Sequence, residues 1–193
     1  MKVGTQATIE DLEKVPGKAE IVNGEIVHMA ATGGFPGYAG DEIYASLRTY
    51  ARRKKWGIAV SDNKAFIVDL PNRRSFSPDA GFYVGEMTAR FYKGAPLFAV
   101  EVRSEGDYAA KAEREISAKI RAYFAAGTQV VWDVDVLGGA DVVKAYRHDD
   151  PDNPVVYRRG DIANAESALP GWTMFVDDLF WPGTWKEADK ESD

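Results

Sequence analysis

The sequence predicts a mixed α/β fold of the α+β kind, with more antiparallel hairpins than βαβ units. Three observations carry that expectation. Short apolar runs flank Asn23–Gly24, and another pair flanks Gly138–Gly139; such dipeptides between apolar runs signal tight hairpin turns. Residues 97–136 read as strand, amphipathic helix, strand, the order of a parallel crossover, for which a right-handed path is expected. The 193 residues are 45% hydrophobic and 28% charged, enough for one sizeable core without staples.

Taken in order, residues 8–14 (TIEDLEK) predict a short helix, with Thr8 as N-cap, Asp11 in the capping-box position and Pro16–Gly17 as the stop. Residues 19–30 (AEIVNGEIVHMA) predict a hairpin, and 31–37 (ATGGFPG) a loop. A helix follows over 40–55: Ile43, Leu47, Tyr50 and Ala51 recur at helical spacing, and a basic run closes its C-terminal end. Strands are expected at 58–61 and 64–69, a loop from Pro71 to Pro78, then strands at 79–84 and 97–103. Residues 107–126 make the strongest helix, ended by Gly127. Strands at 129–136 and 141–147 form the second hairpin, and 155–158 and 168–180 complete the fold. Residues 1–181 are expected to form a single domain, with 182–193 a polar tail.

Composition excludes several chemistries. With no cysteine there is no disulfide, thiolate metal site or cysteine nucleophile, and with two histidines, His28 and His148, no histidine-rich zinc centre. The N-terminal stretch lacks the apolar core of a signal peptide, and no apolar run is long enough to span a membrane, so a cytoplasmic location is expected. Thirty acids against 24 bases give a net charge of −6, not the balance of a protein that coats nucleic acid. The charge is uneven: Arg48 with Arg52–Lys55, Arg73–Arg74 and Arg158–Arg159 form three basic blocks. They read as solvated helix ends and loops, or else as a DNA-facing rim.

The chemistry is expected on the central strand and its neighbours. Along 97–103, Leu97, Ala99, Glu101 and Arg103 share one face while Phe98, Val100 and Val102 share the other. Both faces are apolar upstream, so Glu101 needs a cation, a proton or a metal; pairing with Arg103 or an exposed strand end would also satisfy it. Asp79 enters its strand behind Ser77–Pro78, where an ordinary turn aspartate is the competing reading. Lys119 lies about 60° from Ile116 on the helical wheel, at the edge of the packing stripe formed by Ile116, Ile120, Tyr123 and Phe124. It can present its ammonium to the preceding strand, or pair with Glu115 one turn away. Glu20 and Glu25 flank the first hairpin turn and fit exposed strand positions equally well. Two carboxylates about 4 Å apart repel by about 4 kcal/mol at an effective dielectric near 20, which a divalent cation relieves. An oxygen-only ligand set suits magnesium or manganese, and a nearby ammonium can orient water or stabilise a phosphate.

The segments AEIVNGEIVHM (19–29), FSPDAGFYV (76–84), APLFAVEVRSEGD (95–107), KIRAYFAAGTQVVWDVD (119–135) and ALPGWTMFVDDLF (168–180) resemble, in order, the Uma2 family, also called DUF820, within the PD-(D/E)XK nuclease superfamily. The resemblance implies a restriction-endonuclease-like core, a central mixed sheet flanked by helices with peripheral antiparallel hairpins. It implies that Asp79 and Glu101 bind Mg²⁺ or Mn²⁺ beside the Val102 carbonyl. Lys119 matches the family's helix-borne lysine, and Glu20 the acid before its hairpin turn, an outer ligand through water. Arginine at 103 occupies the superfamily's lysine position; it supplies a cation but not a base. Arg103 and Glu25 are accessory candidates. DNA is the implied substrate and a homodimer the implied assembly.

Two other readings follow from the sequence. A catalytically silent protein of the same fold, acting as a nucleic-acid or protein binding module, suits the acidic net charge. A glycosidase would use paired carboxylates and some of Trp56, Trp132, Trp172, Trp181 and Trp185, although such tryptophans more often belong to a core or its rim.

Overall fold

The computed structural model describes residues 6–183. Helix α1 (Ile9–Leu12) starts at Thr8, and both halves of the capping box with Asp11 form. Strands β1 (Ala19–Val22) and β2 (Glu25–His28) make the expected hairpin. Its turn residues Asn23 and Gly24 have φ of 52° and 79°, the left-handed pair that a type I′ turn requires.

Helix α2 (Gly34–Lys54) begins well before residue 40 and absorbs part of the expected loop. Gly33, Gly34, Pro36 and Gly37 suggest a loop, but Pro36 falls in the first turn, where a missing N–H costs nothing. Strands β3 (Ile58–Ser61) and β4 (Phe66–Leu70) follow. The loop expected from Pro71 to Pro78 contains another strand, β5 (Arg73–Phe76), antiparallel to β4 with Phe76 opposite Phe66. Next come β6 (Ala80–Tyr83), the two-residue β7 (Tyr92–Lys93), β8 (Phe98–Val102), helix α3 (Ala110–Ala125) and β9 (Val130–Val134). The second hairpin continues with β10 (Val143–Arg147), Val143 opposite Val134. Strand β11 (Asp150–Tyr157) begins before the expected residue 155; it is an edge strand, which explains why Pro151 and Pro154 are tolerated. Strands β12 (Ile162–Asn164) and β13 (Thr173–Phe175) and a single 3₁₀ turn (Val176–Leu179) finish the described chain.

The fold is mixed α+β. Its main sheet has six strands in the order β11-β10-β9-β8-β6-β3, mixed because β8 and β9 run parallel, joined through α3, while the other pairs are antiparallel. The antiparallel pairs β1–β2 and β4–β5 join with β7 in a second, peripheral sheet, β2-β1-β5-β4-β7, whereas the β9–β10 hairpin belongs to the main sheet.

Central strand β8 is covered on both faces, as its alternation predicts. Phe98, Val100 and Val102 pack with Ile43, Leu47 and Tyr50 of α2, along with Trp132 and Trp172. Ala99 packs on the other face with Ile120, Tyr123 and Phe124 of α3 and with Phe66 and Phe76 of the second sheet. That face carries Glu101. The second sheet and α3 therefore meet above the carboxylate, and apolar packing on either side makes it a low-dielectric place. No described helix is long and apolar enough to cross a membrane.

Candidate active site

Asp79, Glu101, Lys119 and Glu20 converge, although they come from two sheets and a helix. Asp79 precedes β6 and is locked to β8 twice: its own N–H donates to the Val100 carbonyl at 3.0 Å, and its Oδ2 accepts the Val102 N–H at 2.6 Å. Its Oδ1 takes the Lys18 ammonium at 2.5 Å. Pro78 stiffens the approach to this anchor. Gly40 of α2 lies against it; a Cβ there would sit 3.8 Å from the Asp79 Cβ.

Glu101 is held from α3. Lys119 Nζ reaches its Oε2 at 2.7 Å, and the Tyr123 hydroxyl donates to its Oε1 at 2.6 Å. Tyr123 is fixed in turn by stacking on Phe76 of β5, ring centroids 4.0 Å apart. Lys119 bridges to Glu20 Oε1 at 3.0 Å. Glu20 also accepts the Ser77 N–H at 2.7 Å and an ion-paired hydrogen bond from Arg73. Its side chain is 2% exposed, so it is a buried hub rather than a surface strand residue.

Burial pushes the Glu101 carboxyl above the usual glutamate range; Lys119 opposes this, and the charges of Asp79 and Glu20 reinforce it. Burial acts the same way on Glu20, but Lys119, Arg73 and the Ser77 N–H outweigh it and hold that carboxyl low. Burial likewise works against the Lys119 ammonium, which Glu101 and Glu20 nevertheless keep charged to higher pH than usual. The signs separate the two glutamates. Glu20 contributes stability that is present above the ordinary carboxylate range and is lost as pH falls through its depressed pKa. Glu101 behaves oppositely, its ionisation costing stability as pH rises through its elevated pKa. Carbon-13 NMR of the side-chain carboxyls is expected to show Glu101 titrating above the ordinary range and Glu20 below it. The reverse order would contradict this cation network.

Arg103 and Glu25 lie outside the cluster. Arg103 forms a two-pronged pair with Asp133, both contacts at 2.7 Å, and also binds Glu113 of α3. It therefore does not neutralise Glu101. Asp133 stands opposite Glu101 in the β8–β9 register but is 2% exposed at its side chain and fully engaged by Arg103. Arg103→Ala would strand that buried charge and is expected to cost about 3–5 kcal/mol in urea unfolding. A loss below about 1 kcal/mol would contradict a structural role for this arginine. Glu25 is exposed at the turn end of β2, opposite Val22.

Three contributors escape the sequence reading: Lys18 ahead of β1, Tyr123 within a packing stripe, and Arg73 within an apparent basic block. The structure dissolves two of those blocks. Arg73 turns inward to Glu20, and Arg158 and Arg159 pair with Asp141 and Asp177. Arg52, Arg53 and Lys54 close the last turn of α2. They are about 18 Å along the helix from Gly40, counted from residue 52 at 1.5 Å per residue. The blocks do not converge into one rim around the carboxylates.

The Uma2 family model, described as "Putative restriction endonuclease", matches residues 8–177. The chain belongs to the Uma2 family. A crystal structure of a "putative nuclease belonging to DUF820" from Anabaena variabilis ATCC 29413 is similar to it, with a TM-score of 0.70 at 19% identity over 90% of this chain and 97% of that one. At that identity the likeness shows the shared fold. No curated protein matches the chain. Family membership supports a nuclease function and a nucleic-acid substrate for this Uma2 protein.

Asp79 and Glu101 are the residues that would hold a divalent metal. Asp79 and Glu101 offer hard oxygen donors at a partly open position, their side chains 14% and 20% exposed. Among the described residues no cluster of three or more histidine, cysteine, aspartate or glutamate side chains is built to hold a metal. Two carboxylates nevertheless fit magnesium, which keeps several waters and shares its remaining positions with substrate phosphate.

Proposed function

We propose that this Uma2 protein is a metal-dependent endonuclease that hydrolyses phosphodiester bonds in DNA. The observation that supports it best is the convergence of Asp79, just ahead of β6 and bonded to β8, with Glu101 of β8 and the buried Lys119 ammonium 2.7 Å from Glu101. Asp79 and Glu101 would hold Mg²⁺ or Mn²⁺, beside the Val102 carbonyl. When bound, such a cation makes its water more acidic and neutralises charge on the scissile phosphate.

The chain's own residues supply the rest. Lys119 orients the attacking water or a phosphate oxygen and stabilises the negative charge that develops in the transition state. Glu20 holds Lys119 at the depth of Glu101, and Arg73 keeps Glu20 ionised. Tyr123 fixes the Glu101 carboxylate so that one oxygen remains turned towards Lys119. Packing from the second sheet on one side and α3 on the other limits bulk water around Glu101, which strengthens each of these charge interactions. Because a duplex presents two strands, the active form is proposed to be a homodimer.

The test is conversion of supercoiled plasmid to nicked and linear forms by purified protein in Mn²⁺ or Mg²⁺. Cleavage that EDTA abolishes is the expected result. DNA retained on a filter in EDTA but left intact after metal is added would instead favour the catalytically silent binding module.

A further inference from the structure

Among the described residues, Lys18 is the one ammonium at the site that makes no ion pair with Glu20 or Glu101. Its side chain is 12% exposed, and its Nζ lies between two carboxylates, 2.5 Å from Asp79 and 2.7 Å from Asp62. The strand register explains the geometry. Ser61, the last residue of β3, pairs with Ala80, the first of β6, so the next residue on β3's side, Asp62, meets the residue before β6, Asp79. Lys18 fills the gap between these strand ends. The two carboxylates differ in their other engagements. Asp79 gives Oδ2 to the Val102 N–H and has Oδ1 left for a cation. Asp62 is 41% exposed and its Oδ1 also accepts the Asn63 N–H at 2.6 Å, so it is a fixed acceptor at the solvent edge.

An ammonium this close to Asp79 Oδ1 and a divalent ion on that oxygen would repel strongly across a few ångströms of low-dielectric space. Both cannot remain. We propose that Lys18 is a resident cation that competes with the divalent metal for Asp79, and that Asp62 is the carboxylate that keeps Lys18 when metal enters. The site thereby stays neutralised without metal, and Lys18 sets the metal concentration at which it loads. This inference rests on the assignment of Asp79 as a metal ligand, and it makes Lys18 a positioning residue.

The test is calorimetric titration of Mn²⁺ into the full-length, metal-free protein, with Lys18→Gln, Asp62→Asn, Lys18→Arg and Asp79→Asn in parallel. Removing the competitor in Lys18→Gln is expected to tighten binding about tenfold or more. Asp62→Asn, an exposed change, leaves Lys18 dependent on Asp79 and is expected to weaken binding several-fold. Lys18→Arg retains the charge and stays near wild type. A merely structural role for Lys18 would not move the two variants in opposite directions. If Lys18→Gln does not fold, judged by its melting transition, the Asp62→Asn and Lys18→Arg titrations still decide. Equal affinity in every variant except Asp79→Asn, which loses binding, would overturn the competition and leave the metal site standing. Weaker binding in Lys18→Gln would also overturn it. Absence of binding in all of them, Lys18→Gln included, would overturn the competition and the metal assignment together.

Discussion

Asp79→Asn is expected to abolish DNA cleavage while leaving the fold intact. Asparagine retains an oxygen for the Val102 N–H, so the clamp between β6 and β8 survives. Lys18 keeps Asp62 as its ion-pair partner. What disappears is the negative charge on which a divalent cation would sit. Lys119→Ala should be comparably damaging by another route. It removes the ammonium nearest Glu101, and losing one preorganised group that stabilises transition-state charge typically costs about 10²–10³ in rate. It also leaves Glu101 with only the Tyr123 hydroxyl among its close partners, so its carboxyl should titrate higher still. Plasmid nicking in Mn²⁺ measures both variants, and circular dichroism and a melting curve establish that each is folded. Wild-type rates in either would refute its assigned role.

A loss of stability as large as that of Arg103→Ala is expected from Glu20→Gln. Glu20 is buried and is the shared counter-ion of Lys119 and Arg73, the latter 12% exposed at its side chain. The amide preserves shape but leaves two buried cations with one fewer negative charge, and breaking a buried ion pair from one side costs about 3–5 kcal/mol. For a chain of this size that is a fall in melting temperature on the order of 10 °C. A double-mutant cycle with Arg73→Met isolates the pairing: the double variant should be far less destabilised than the sum of the two singles. Additive losses would mean that Glu20 acts through Lys119, Ser77 and packing rather than through Arg73.

Much of the site was legible in the sequence where a charged residue broke an otherwise apolar pattern. Glu101 on a strand apolar on both faces and Lys119 at the margin of a packing stripe each conflict with their local surroundings, and the structure resolves both conflicts with one ion pair. Residues that conflict with nothing stayed hidden. Tyr123 fits a hydrophobic stripe as well as it fits a hydrogen bond to Glu101, and Lys18 beside a Pro-Gly turn looks like any solvated lysine. Arg73 next to Arg74 suggests exposed charge, yet strand alternation sends the two to opposite sides, one to Glu20 and the other towards solvent. The same limits apply to the fold. Turn chemistry placed both hairpins, whereas β5 escaped because its Arg-Arg-Ser opening has little apolar character. The start of α2 escaped because glycine and proline suggest a loop unless proline falls in a first turn.

The spacing of the site's contacts along the chain bears on how the protein is made. Lys119 and Glu101 are 18 residues apart, a loop that closes readily once β8 and α3 exist. Lys18 lies 61 residues from Asp79, and Glu20 lies 57 from Ser77. Closing a loop of that length costs about 1 kcal/mol more in chain entropy, and its return comes only when the amino-terminal hairpin docks. A chain emerging from the ribosome would hold its first hairpin long before the strands that complete the cluster have been synthesised. A growing or partly opened chain therefore lacks the assembled cluster, and any hydrolytic capacity appears only with the finished tertiary structure.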